Sequence, residues 1–188
     1  MRKNIDLVNG PVLKSLTQLA VPIMATSLIQ TAYNLTDMLW IGRVGSNAVA
    51  SVGAAGMYMW LSNGLAALPK MGGQVNVGHV LGAGRPKDAA NYATAALHIS
   101  IIFGLVFGLV CILFSNPLIG FFNLTGHQVI ADARIYLKIT CGCVIFSFLN
   151  QTLTGVFTAA GNSRSSFMAT LTGLLINWIL VPVLIFRL

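Results

Sequence analysis

Apolar residues run through this chain in five long blocks, at about 16–41, 47–69, 92–114, 136–160 and 167–186. Each block reaches or approaches the 20 or so residues that a helix needs to cross a bilayer. Glycine, proline and charge separate the blocks: Gly42–Ser46, Gly82–Asp88, Ser115–Pro117 and Gly161–Ser165 all read as turns. The second block breaks at Pro69-Lys70 and continues to 81 through MGGQVNVGHVLGAG, a stretch too polar to face lipid on every side. Residues 1–15 are polar and basic, a cytoplasmic N-terminal segment with a turn at Asn9-Gly10-Pro11. Residues 118–131 form a connecting stretch with a short helix at 118–122. Lipid cannot satisfy an open backbone, so the blocks are predicted to be helices, and the fold class is an all-α integral membrane bundle of about five spans. Small residues in the second span (Ala50, Gly53, Ala54, Ala55, Gly56) and the Gly104/Gly108 pair in the third are the expected points of close helix contact.

The first span departs from a plain apolar pattern. Thr26, Gln30, Tyr33, Asn34 and Asp37 fall on one face, within an arc of roughly 100° at helical spacing. A carboxylate at membrane depth is costly and normally faces protein or a water-filled cavity. The stripe therefore predicts a helix that lines a pathway, with Asp37 as the group that takes up and releases a cation and with Thr26, Gln30, Tyr33 and Asn34 lining the cavity. Pro22 removes one backbone hydrogen bond and is the expected hinge. In the fifth span Ser166, Thr170, Gly173 and Asn177 share a face, which adds Thr170 to the cavity lining.

Composition agrees. The chain is 56% hydrophobic and 8% charged, against about 25% charged in soluble domains. It has no glutamate, and of its four acids (Asp6, Asp37, Asp88, Asp132) only Asp37 lies inside an uncharged apolar run. The net charge of +7 comes from Lys and Arg scattered between the spans, which fits loops beside a membrane and argues against nucleic acid as a partner. Arg2, Lys3, Lys14, Arg85, Lys87 and Arg164 lie on the N-terminal side, and Arg43, Arg134, Lys138 and Arg187 on the other. Six against four predicts a multi-pass protein of the plasma (inner) membrane with a cytoplasmic N-terminus. Lys14 interrupts the basic start before any apolar core begins, so the first span is expected to stay uncleaved. Cys111, Cys141 and Cys143 have no disulfide or metal spacing and read as packing residues. Neither His79, His98 nor His127 has ligand spacing, and no Ser/His/Asp or paired-carboxylate arrangement suggests an enzyme. The chain shows no internal repeat and stops after an odd-numbered span, which suggests half of a larger transporter.

Several short motifs occur in an order that carries a family likeness. Leu19-Ala20-x-Pro22 with Asp37-x-x-x-Ile41-Gly42 resembles the first helix of the multidrug and toxic compound extrusion (MATE) transporters. Gly73-Gln74-Val75 with Leu81-Gly82-Ala83-Gly84 resembles the end of their second helix. Tyr136-Leu137 resembles the start of the fourth, Phe157–Arg164 the inner loop after it, and Asn177 with Leu180-Val181-Pro182 the fifth. The resemblance implies a partial N-terminal lobe of a twelve-helix, two-lobed antiporter that exchanges H⁺ or Na⁺ for small amphipathic, mostly cationic compounds. It implies no cofactor beyond the coupling ion, and it implies a C-terminal lobe, absent here, as partner alongside the lipid bilayer. It also implies a cation-coupling site in which Asp37 is the first-helix acid and Asn177 the fifth-helix amide. Many members carry an acid just before the fifth-helix proline, where this chain has Val181. A two-carboxylate Na⁺ cage is then unavailable, and a lone acid withdrawn from water favours its protonated form, so the expectation leans to H⁺.

Other readings remain open on the residues alone. Asp37 lies six residues before Arg43, about 9 Å of rise, and a shallow structural acid would have the same spacing. Gln30, Tyr33, Asn34 and Asn177 could be interhelical packing groups. Lys70 fits a cation snorkelling to the inner interface. As alternatives to drug efflux, a lipid-linked oligosaccharide flippase would want a cationic cavity, and Lys70 is the only base inside a span. A non-transporting membrane fragment is the reading from a different class.

Overall fold

A computed structural model describes residues 12–187; some side chains of the first and last helices, Thr26 and Asn177 among them, lie outside the described ones. Seven helices follow one another: α1 Val12–Val44, α2 Ser46–Gly82, α3 Pro86–Leu113, α4 Ser115–Gly120, α5 His127–Gly142, α6 Val144–Ala159 and α7 Ser163–Arg187. No strand occurs among the described residues. α1 stays helical through Pro22, and α2 through Pro69. At 37 residues α2 is about 55 Å long, well beyond the roughly 30 Å of a hydrocarbon core. Among the described residues α3 is the helix that combines spanning length with strong apolarity, its mean hydropathy reaching 2.6. Polar residues dilute α1 and α2.

Two glycines write the helix ends. Gly84 has φ +71, with its amide bonded to the Leu81 carbonyl and the Arg85 amide to Val80. Gly161 has φ +73, with the same pattern to Thr158 and from Asn162 to Phe157. Both are Schellman stops, which need a residue tolerant of the left-handed region. Each is followed by a helix start. Pro86 fills the first position of α3, and the Asn162 Oδ1 accepts from the Ser165 amide at 3.4 Å and from its hydroxyl at 2.9 Å.

The chain forms two compact units. One holds α1 to Arg43 together with the chain from Phe157 through α7; the other is Val44–Val156. In the second unit α2 packs on α3 and α5. Ala55, Cys111, Ile119, Ala133, Leu137 and Cys141 form its core, with Ala66, Val144 and Phe148 as a second cluster. Four side-chain bonds pin it. The Ser51 hydroxyl reaches the Val129 carbonyl at 3.0 Å, the Tyr58 hydroxyl the Leu118 carbonyl at 2.7 Å, Gln151 the Asn63 side chain at 2.9 Å, and Thr152 the fully buried Ser100 at 3.1 Å.

The structure departs from the hydropathy pattern in three places. The single span predicted over 136–160 is two helices, α5 and α6, which meet at Cys143 beside the weak helix former Gly142. α5 begins at His127, inside the stretch read as connection, because Val129, Ala133, Leu137 and Cys141 recur every fourth residue and bury one stripe despite polar neighbours. The short helix predicted at 118–122 is α4, three residues earlier. The close contacts also differ from expectation. A Cβ on Gly53 or Gly56 would meet nothing within 4 Å. On Gly108 it would lie 2.7 Å from the Cys141 carbonyl oxygen, on Gly104 3.0 Å from the Ile145 Cα, on Gly73 2.7 Å from the Ala96 Cβ, and on Gly155 2.9 Å from the Lys70 carbonyl oxygen. The Gly104/Gly108 pair thus brings α3 against the α5–α6 junction.

Gly108→Ala should therefore push α3 off backbone that cannot yield, and cost about 1–3 kcal/mol. Gly64→Ala, with open space around it, should be neutral or stabilising by up to about 1 kcal/mol through helix propensity. Unfolding of both variants in detergent checks the pair.

Candidate functional site

The polar side chains of α1 divide according to what each finds on its own helix. The hydroxyls turn back on the backbone: Thr17 donates to the Leu13 carbonyl at 2.8 Å, Ser27 to Ile23 at 3.1 Å, Thr31 to Ser27 at 2.9 Å and Thr36 to Ala32 at 2.8 Å. Thr170 on α7 does likewise, to Ser166 at 3.0 Å. These groups are satisfied locally and offer a ligand little. Among the described residues Gln30, Asn34 and Asp37 have no hydrogen-bond or ion-pair partner.

Asp37 and Tyr33 are half-buried, on the same side of α1 as Pro22, Ala25, Ile29, Trp40 and Ile41; Gln30 and Asn34 are exposed on the adjoining flank. The arc predicted as one lining thus straddles the edge between the packed face and the open one. Arg43, the cation nearest to Asp37 in sequence, is engaged elsewhere. Its guanidinium lies 5.0 Å from the centroid of the Trp40 ring, within cation–π range. The one ion pair among the described residues is Arg85–Asp88 at 3.5 Å. Asp37 is therefore not the structural partner of Arg43.

Asp37 on α1 and Asn177 on α7 belong to the same compact unit. The side chains of Asn177 and Thr26 lie outside the described ones. Thr170 is half-buried.

The family comparison matches MatE over residues 22–183. The chain belongs to the MatE family. Among MatE relatives, the probable multidrug resistance protein NorM of Thermotoga maritima is 27% identical over 159 residues, which cover 84% of this chain and 34% of that protein. A solved MOP superfamily transporter from Pyrococcus furiosus superposes over the whole chain with a TM-score of 0.92 at 24% identity. A multidrug resistance MATE family transporter in an outward-facing conformation does so with a TM-score of 0.91 at 23%. The two structural likenesses establish a shared fold, and in each this chain covers 41% of the solved one. The chain is an all-α membrane bundle, a partial lobe of the MatE architecture, and spans about a third of the length of NorM.

Two further polar features of this MatE chain lie in the larger unit, and hydropathy gave no signal for either. Asn63 of α2 and Gln151 of α6 are bonded at 2.9 Å across 88 residues of sequence. A pocket of about 430 Å³ lies where α2 ends and α3 begins, lined by Val80, Arg85, Asp88, Asn91, Tyr92 and Ala95. Lys70 is half-buried, and its stem passes over Gly155.

In a background without cysteine, Cys at 30 and at 34 should react in membranes with a charged, water-borne thiol reagent. Cys at 28, 35 and 39, on the opposite side of α1, should be protected by lipid. Equal labelling of the two sets would show that the stripe lines no aqueous path.

Proposed function

We infer that the protein is the cation-coupled part of a secondary multidrug exporter, a transport role and not a catalytic one. One observation carries this reading: in a chain of the MatE family, a half-buried carboxylate stands without a partner among the described residues, beside unpaired amides. A buried acid of this kind holds a proton when the neutral form is favoured and gives it up when water or an opposing charge arrives. Protonation of Asp37 would remove a charge from α1 and change how that helix packs, with Pro22 as the point where the bend is absorbed. Export of small amphipathic cations would follow from competition for the same carboxylate. H⁺ is favoured over Na⁺ because Val181 stands where a second acid would be needed to complete an oxygen cage. Asn177 would then orient the ion or the acid by hydrogen bonding, and Thr26, Gln30, Tyr33, Asn34 and Thr170 would line the path. Alternating access needs two bodies about one site, so a second lobe is the required partner. The bias of Lys and Arg toward the N-terminal side supports a cytoplasmic N-terminus in the plasma membrane.

Asp37→Asn keeps the shape and removes the titration. Expressed from the complete gene in drug-sensitive cells, it should reduce protection to the level of cells without the transporter. Dye efflux from everted vesicles should also lose its dependence on pH. Efflux that stays intact and pH-dependent in this variant would overturn the reading.

A further inference from the structure

Two thiols that lie 30 residues apart in sequence meet in the core of the larger unit. Cys111 on α3 is 2% exposed and Cys141 on α5 is 0% exposed. Their side chains interact directly, thiol to thiol. The backbone explains the meeting. The Cys141 carbonyl rests over Gly108, and Cys111 follows Gly108 by three residues, on the same side of α3. The contact that draws the two helices together thus also seats one thiol against the other. Ala55, Ile119, Ala133 and Leu137 complete the cluster around them. Among the described residues no third Cys, His, Asp or Glu joins the pair. Cys143, two residues beyond Cys141, is exposed.

Ligand number and charge decide what such a pair takes. Thiols select soft elements. Zn²⁺ wants four ligands, and two are present. Cu⁺ held by two thiolates keeps a net negative charge, which an apolar core resists. Trivalent arsenic that carries one organic group takes two sulfurs and leaves a neutral product. The free compound is uncharged as well, so it crosses lipid to thiols that water does not reach.

We propose that Cys111 and Cys141 form a dithiol site for uncharged, monosubstituted arsenic(III) compounds. In the reaction of R–As=O with the two thiols, two As–S bonds form and the As=O bond breaks. Both thiol protons leave with the oxygen as one water, and no oxidation state changes. The bridge ties α3 to α5 where their backbones come closest. This site goes beyond the transport reading: it lies within Val44–Val156 and uses no residue of the Asp37 site.

The test uses the full chain in lipid nanodiscs, with phenylarsine oxide as the probe. One equivalent should stay bound through a wash with a monothiol and come off with 2,3-dimercaptopropanol. After that monothiol wash the chain is unfolded in SDS and alkylated. Peptide mapping should find Cys143 modified but Cys111 and Cys141 protected, whereas without the arsenical all three are modified. This comparison needs no variant to fold. Cys111→Ser and Cys141→Ser should each weaken retention about a hundredfold, because the second As–S bond is intramolecular and a single one exchanges with the wash. Cys143→Ser should leave retention unchanged. Asp37→Asn should also leave it unchanged, so a failure of the coupling mechanism and a failure of this site read out separately. Three results would each overturn the proposal: no retained arsenical, retention that depends on Cys143, or equal retention by both single variants and the unaltered chain.

Discussion

In the larger unit a carbonyl oxygen rests where a side chain would otherwise stand. The Cys141 carbonyl sits over Gly108 so closely that a Cβ there would come within 2.7 Å. Such contact leaves room only for hydrogen on the glycine, and it draws α3 against the place where α5 gives way to α6. Between helices in lipid there is little hydrophobic gain from association, so close packing and polar bonds must hold them. The Ser100–Thr152 bond and the two apolar clusters follow from that approach, since each needs α3 and the α5–α6 pair at backbone distance. The interruption at Cys143 belongs to the same contact: Val144 and Ile145, at the start of α6, are the residues against which Gly108 and Gly104 close.

The two units divide the polar groups differently. In the larger one buried hydroxyls bridge helices, from Ser51 to Val129 and from Tyr58 to Leu118, and so hold the bundle. Along α1 the hydroxyls bond to their own helix, and the longer polar chains are left over. A carboxylate and two amides without partners stabilise nothing as they stand. Groups of this kind persist at membrane depth where an ion or a solute can meet them.

Much of this was legible in the chain. The stripe on α1 shows in helical spacing, and the stops at Gly84 and Gly161 show as glycines followed by Pro86 and Asn162. The Gly104/Gly108 pair shows as a small-residue motif. What escaped had a physical reason in each case. The start of α5 was masked by Asp132 and Arg134, because mean hydropathy cannot see a buried stripe that recurs every fourth residue. Gly73 and Gly155 close on partners far away in sequence, so nothing local marks them as contacts while Gly53 and Gly56 stand open. The pairing of Asn63 with Gln151 depends on two helices meeting in one register, which neither helix encodes alone. Asp37 was legible as an acid in a greasy helix; that Arg43 turns to Trp40 instead was not.

The hydroxyls of α1 have a mechanical side as well. Thr17, Ser27, Thr31 and Thr36 each share a carbonyl that already serves the helix's own ladder, and Pro22 supplies no donor at all. Shared and missing rungs lower the stiffness of a rod, and back-bonded serine and threonine bend the helices that carry them. The last of these rungs is at Thr36, next to Asp37. The carboxylate is thus mounted on a compliant beam, where gaining or losing one charge needs only a small force to produce a visible deflection.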